Sequence, residues 1–227
     1  MDLPDIAITN LCKTPFYHDV VYQKNTIWVD TVVDTITLFH ITTENNEPMI
    51  TPFVEDFKNT VDNGAKVPSY GLSSYGYDVR ITDDIKIFTN SNGGIVDPLT
   101  HSDENFYKAA IKFNKDNGLR YFILPPNTYA LGVTREFFNI PKNIIGNCIG
   151  KSTYARCGIG IETTPIEAGF KGQVVIEISN GTTLPAKIYI DGGIAQFQFR
   201  VGAGNCLSSY ADGNRKYQGQ TGITYAK

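Results

Sequence analysis

The sequence predicts an all-β domain, mainly β with a few short helices, closed as a sandwich, barrel or jelly roll. Many short runs rich in β-branched and aromatic residues point that way, and turn signals part nearly every pair of them. The chain also spends 21 of its 227 residues on glycine, a level that many tight turns require.

Taken in order, residues 1–47 read as an N-terminal extension packed on the main domain. Within them, residues 26–43 are dense in β-branched side chains (Ile27, Val29, Val32, Val33, Ile36, Ile41), which favours extended backbone. A polar turn is expected at 44–47. Beyond it Phe53, Val54, Phe57 and Val61 recur at near-helical spacing, so a short helix is expected over 53–61. Alternation then predicts strands at 77–81 and 84–88, with a loop at 90–94. The charge-mixed segment 101–118 predicts a short helix around 105–113. Further strands follow at 121–124, 129–134, 144–149, 174–179, 186–190 and 194–201. Pro125-Pro126-Asn127, Pro141-Lys142-Asn143, Asn180-Gly181 and Asp191-Gly192-Gly193 punctuate them. No internal repeat or linker divides the chain, which makes 48–209 the main domain and 210–227 a C-terminal segment.

Bulk properties narrow the function. A net charge of -3 argues against duplex DNA as a partner, which selects a basic face. No apolar run is long enough to span a membrane, and the acidic start Met1-Asp2-Leu3-Pro4-Asp5 predicts no secretory signal. Cys12, Cys148, Cys157 and Cys206 are widely spaced, as expected of reduced thiols in a cytoplasmic protein.

Gly150-Lys151-Ser152-Thr153 resembles the end of a phosphate-binding P-loop, but that motif needs four residues between its glycines, and Gly146 to Gly150 leaves three. What remains is local chemistry. Lys151 is a point charge for phosphate, Ser152 and Thr153 carry hydroxyls, and one helical turn would set Ser152 and Arg156 on the same face. A solvated turn is the plain alternative. In the strand 173–179, Val174, Ile176 and Ile178 share one face and Gln173, Val175, Glu177 and Ser179 the other. A carboxylate beside Val175 would lose solvent, which raises its pKa towards acid–base use; an ordinary solvent-facing glutamate is the competing reading. On 194–201, Phe197, Phe199 and Val201 face inward and leave Gln196, Gln198 and Arg200 on the polar side. The last residues, with Tyr210, Lys216, Tyr217 and Gln220, read as a frayed tail or as a lid over an anionic ligand.

Several long motifs in one order resemble the dCTP deaminase branch of the dUTPase-like superfamily. They are Tyr70-Gly71-Leu72-Ser73-Ser74-Tyr75-Gly76-Tyr77-Asp78-Val79-Arg80, the 150–158 stretch, Val175-Ile176-Glu177, Gly193-Ile194-Ala195-Gln196-Phe197, Ser209-Tyr210-Ala211-Asp212 and Lys216-Tyr217-Gln218-Gly219-Gln220-Thr221-Gly222. The resemblance implies a dUTPase-like distorted β-barrel that deaminates dCTP to dUTP. Glu177 would be the acid–base carboxylate, with Ser152 and Arg156 orienting the water. The nucleotide would also lie against Lys151, Thr153, Tyr154, Ala155, Val175, Ile176 and Gln196, and Tyr210, Lys216 and Gln220 would close as a lid. It further implies Mg²⁺ carried by the triphosphate, no metal held by the protein, a homotrimer with sites between subunits, and dTTP as an inhibitor.

Zinc deaminases hold their metal with H-x-E and P-C-x-x-C, and His18, His40 and His101 have no such neighbours, so no zinc is expected. In dUTP-cleaving relatives an Asp stands in the turn I-D-x-G-[FW]-x-G. Here the turn reads Ile166-Glu167-Ala168-Gly169-Phe170-Lys171-Gly172. The longer Glu167 would displace a hydrolytic water, so dUTP is the expected final product. A bifunctional enzyme giving dUMP, a dUTPase alone, and a non-catalytic nucleotide sensor or capsid-like β-protein are the alternatives.

Overall fold

The computed structural model describes residues 2–13, 18–28, 31–41, 47–91, 94–99, 103–162 and 164–226, with backbone alone over 18–28 and 31–41. In chain order its elements are α1 (Asp5–Lys13), β1 (His18–Trp28), β2 (Thr31–Ile41), β3 (Ile50–Thr51), β4 (Lys58–Thr60), β5 (Lys66–Ser73) and β6 (Gly76–Phe88). They continue with β7 (Phe106–Lys108), β8 (Lys112–Phe113), β9 (Arg120–Leu124), β10 (Thr128–Asn139), β11 (Ile144–Gly150), α2 (Ser152–Ala155), β12 (Ile159–Ile161) and β13 (Pro165–Ile166). Last come β14 (Lys171–Asn180), β15 (Ala186–Tyr189) and β16 (Gly193–Val201), with single 3-10 turns at Asp103–Asn105 and Tyr210–Asp212.

Eleven strands form one curled, half-closed barrel whose spine runs β12-β14-β10-β6-β16-β11-β13. Its neighbouring strands run antiparallel, which lets each keep one face in the core and one outside. Strand β14 alternates buried and part-exposed residues along its whole length, as its sequence pattern requires. Tyr77, Ile81, Phe138, Ile176, Ile178, Phe197 and Phe199 are at most 1% exposed and fill the barrel. Each such side chain contributes about 1.5–3 kcal/mol by leaving water. Phe138 and Phe197 meet at 4.9 Å between ring centres. A three-stranded sheet, β15-β9-β8, lies beside the barrel, and β1 pairs with β2 in a separate hairpin.

Three expectations change. Residues 53–61 are not helical: they run extended into β4. The Val54 N–H donates to Tyr77 Oη (3.0 Å), its carbonyl accepts from Leu72 N–H (3.0 Å), and Phe53 stacks on Tyr77. Sideways bonds of this kind use the groups that a helix would pair internally. Nor is 105–113 helical, because β7 adds to the edge of β6, with Lys86 opposite Lys108, and Phe106 packs on Phe88 and Tyr129. The two strands expected at 77–81 and 84–88 are one strand, β6, carried past Thr82 and Asp83 by an irregularity against Gly132–Thr134 of β10. The turn expected at 44–47 and the loop at 90–94 lie partly outside the described residues.

The helix α1 is an element the sequence pattern had not singled out. It sends Ala7, Ile8, Leu11 and Cys12 into the barrel core, and Leu3 N–H donates to Phe199 O (2.8 Å). The 26–43 stretch is extended wherever it is described.

Candidate active site

Strand β14 places Glu177 opposite Leu131 of β10, on the outer face shared with Val175. There it lines a cavity of about 440 Å³ whose walls are mostly apolar: Tyr129, Leu131, Ile166, Phe170, Val174, Val175, Tyr210 and Tyr217, with Glu167 and Gln220. Burial pushes the Glu177 carboxyl above the usual glutamate range, and nearby Glu162 adds to the rise. Cys148 on β11 lies close behind it; burial, with the Glu177 charge, pushes that thiol up to about 12, so it stays protonated and inert.

The C-terminal segment forms one wall. Gly219 N–H donates to Lys171 O (2.7 Å) and Gln173 N–H to Gln220 O (3.0 Å), adding the tail alongside the start of β14. The approach is so close that a Cβ on Gly172 (φ +149°) would stand 2.9 Å from the Gln220 carbonyl. Three glutamines fasten the tail with their side chains. Gln218 Nε2 donates to Gly169 O (3.1 Å) while its Oε1 accepts from Lys171 N–H (3.0 Å); Gln173 Oε1 accepts from Gly222 N–H (3.0 Å). Gln220 Nε2 donates to Gln173 O (2.6 Å), and its Oε1 is buried without a hydrogen-bond partner among the described residues. The turn carrying Glu167 needs glycine at 169: φ is +80°, and a Cβ would meet Ser209 Cβ at 2.8 Å.

A second group gathers at α2. Ser152, Thr153, Ala155 and Arg156 are exposed, with Arg156 Nη1 3.5 Å from Ser152 Oγ, the same-face pairing that a single helical turn allows. None of the four lines the Glu177 cavity within one chain. Tyr154 turns inward, 5% exposed, and its hydroxyl accepts Tyr189 N–H (3.2 Å), anchoring the turn. Its side chain therefore packs in the core, as does that of Ile176, 1% exposed on the core face of β14, which leaves their backbone groups to meet a ligand.

Lys151 is engaged within the chain. Its ammonium is ion-paired with Asp78, a carboxylate 1% exposed, and it donates to Ser69 Oγ (3.0 Å). Gln196 joins the same acid, donating from Nε2 to Asp78 Oδ1 (3.0 Å) and to Ser73 Oγ (3.2 Å). A buried carboxylate draws the nearest donors to itself, so Lys151 and Gln196 brace β6, β16 and the entry to α2. Lys216 is exposed and lies outside the cavity lining. Of the expected residues, the fold thus gathers Val175, Glu177, Tyr210 and Gln220 around one cavity. Tyr217, expected in the tail that could close as a lid, joins them, and Phe170 completes the walls without having been singled out for it. Asp78 was missed as a brace, although a carboxylate on the apolar run Tyr77-Asp78-Val79 is the same signal that flagged Glu177.

Among the described residues no group of three or more His, Cys, Asp or Glu could hold a metal ion, and no helix is long and apolar enough to cross a membrane.

A family model described as dCTP deaminase-like matches residues 45–202. A dCTP deaminase of Sulfurovum sp. (strain NBC37-1) is 51% identical over 179 residues, which cover 79% of this chain and 88% of that protein. One of Campylobacter concisus (strain 13826) is 51% identical over 176 residues, covering 78% and 88%. The solved 2'-deoxycytidine 5'-triphosphate deaminase of Agrobacterium tumefaciens overlaps loosely, at TM-score 0.46 and 16% identity, over 68% of this chain and 44% of its own.

Proposed function

This chain belongs to the dCTP deaminase family, and on that premise we propose that the Glu177 cavity hydrolyses dCTP to dUTP and ammonia. The observation that carries the reading is a half-buried carboxylate with a raised pKa in an apolar cavity beside a polar tail. Glu177 takes a proton from water, and the resulting hydroxide adds to C4 of the cytosine. The proton passes to N3, a second transfer makes the exocyclic amine a leaving group, and ammonia departs to give uracil. Val175 and the aromatic walls keep bulk water out, so the one bound water is held by position.

Ser152 and Arg156 serve this reaction as the water-orienting hydroxyl and the cation that offsets charge in the tetrahedral intermediate. Because both are exposed and outside the cavity of their own chain, we propose that they act on the cavity of a neighbouring copy in a homotrimer. Thr153, Ala155 and the backbone at Tyr154 would line the nucleotide from that side; Tyr210, Gln220 and Lys216 would meet it from the tail. Lys151 and Gln196 would reach a phosphate only by leaving Asp78. Glu177→Gln and Arg156→Ala, each inactive alone, are then expected to recover activity when co-assembled. Random mixing restores about a quarter of the sites. No recovery would place both residues in one chain's site.

The substrate is taken as the Mg²⁺ complex of the triphosphate, the chemistry as metal-independent at the protein, the compartment as the cytoplasm, and dTTP as a competitor for the same cavity. Glu167 lines that cavity too, so the products decide whether it hydrolyses further. Incubation of dCTP with Mg²⁺ is expected to accumulate dUTP with equimolar ammonia, at a rate unchanged by a zinc-selective chelator. Chromatographic detection of dUMP and pyrophosphate would instead establish the bifunctional reaction.

A further inference from the structure

Remote from the Glu177 cavity, a second hollow of about 480 Å³ opens between β5, β6, β10 and the loop at Gly118–Leu119. Arg80, Arg135 and Asp191 line one side of it, and Tyr70 and Leu119 are among its apolar lining. Three guanidinium groups converge here on two carboxylates. Glu136 is committed to Arg80, accepting its backbone N–H (2.9 Å) and its Nε–H (3.0 Å). Asp191 is committed to Arg120, accepting the backbone N–H (2.7 Å), Nε–H (3.0 Å) and Nη2–H (2.7 Å). Arg135 reaches only to 4.0 Å from an Asp191 oxygen that already accepts twice, beyond hydrogen-bond range.

Arg135 is therefore a partly buried cation that shares Asp191 with Arg120 at the edge of ion-pair range, its side chain 33% exposed into the hollow. Burial lowers its pKa, the facing Arg80 and Arg120 lower it further, and Glu136 and Asp191 only partly offset them. At the lining, exposed Lys58 adds a positive charge and exposed Asp62 opposes it. Arg80 lies over the Tyr70 ring at 4.8 Å, and Tyr70 and Leu119, both buried, close the floor of a volume much larger than one anion needs.

We propose that this hollow is a second ligand site, in which the part-exposed Arg135 guanidinium takes the phosphate of a small phosphorylated molecule. A guanidinium suits this because it offers two parallel N–H donors to one oxyanion. The site is separate from the deamination cavity and does not depend on that reading.

Calorimetric titration of the full-length chain with inorganic pyrophosphate tests it. Wild type is expected to bind about one anion per chain that R135Q binds at least tenfold more weakly, as loss of a charge-assisted pair implies. R135K, which keeps the charge but loses the parallel donors, should bind between wild type and R135Q. Deamination of dCTP by R135Q should remain near wild type, which separates failure here from failure of the catalytic reading. A parallel titration with dUTP identifies the occupant: one additional nucleotide per chain in wild type over R135Q points to nucleotides, and equal counts point to the free anion. Pyrophosphate binding that is absent from wild type, or equal in wild type and R135Q, overturns the proposal. So does an altered assembly mass in R135Q by light scattering, since Arg135 would then be a contact between copies.

Discussion

Glu177→Gln is expected to lower kcat for dCTP by about 10²–10⁴, the range that a positioned acid–base group supplies. The substitution keeps the length and shape of the side chain on β14 and its place opposite Leu131. What it removes is the ability to accept a proton from water and return it to the base. If the role is confined to proton transfer, KM should move little, and a fall in kcat alone marks a role in the transition state. The pH dependence follows from the raised pKa. A base works ionised, so kcat/KM should fall as pH drops through the Glu177 pKa, with the acid limb above the ordinary 4.5. The stability sign runs the other way. A carboxyl whose folded pKa is raised stabilises the fold when protonated, and that contribution is lost as pH rises through the folded value. At neutral pH the Gln variant should therefore melt no lower than the parent, so lost activity cannot be put down to lost fold. Retention of most activity by a well-folded Glu177→Gln would remove this residue from the mechanism.

Most of what sequence reasoning reached is periodic. The alternation of 173–179 places Glu177 and Val175 together on the outer face, and the barrel keeps that face as a cavity wall. The i, i+4 spacing of Ser152 and Arg156 survives as a single turn of helix. What could not be read is set by distant partners. Phe53 carries helix-like spacing and Phe106 lies in a charge-mixed segment, but their surroundings are fixed by Tyr77 in one case and by Phe88 and Tyr129 in the other. Lys151 looks like a phosphate ligand because its neighbours are hydroxyls. It pairs with Asp78 because β6 brings a desolvated carboxylate within reach across 73 residues of chain. The separation of Arg156 from the Glu177 cavity is likewise invisible locally, because it is set by where the barrel carries α2 and β14. A buried acid on an apolar strand was nevertheless a readable signal twice more, at Asp78 and at Glu136.

Glu136 carries the second large effect, this time on stability. Its side chain is fully buried and that of Arg80 11% exposed, and the two share a side-chain and a backbone hydrogen bond. Burial pushes the Glu136 carboxyl up while the Arg80 guanidinium pulls it down, so each charge is tolerable only in the presence of the other. Glu136→Gln preserves volume and one acceptor oxygen but leaves the guanidinium without its counter-charge, which costs about 3–5 kcal/mol for a buried pair. At the scale usual for chains of this size, ~2–4 °C per kcal/mol, the melting temperature should fall by roughly 6–20 °C at fixed protein concentration. Arg80→Met with Glu136→Leu should recover much of that loss, because it removes both charges and keeps the space filled. The double variant separates a penalty for one stranded ion from a favourable contribution of the pair. If Glu136→Gln melts within about 2 °C of the parent, water reaches the guanidinium, and the junction of β6 with β10 is not the dry core described here.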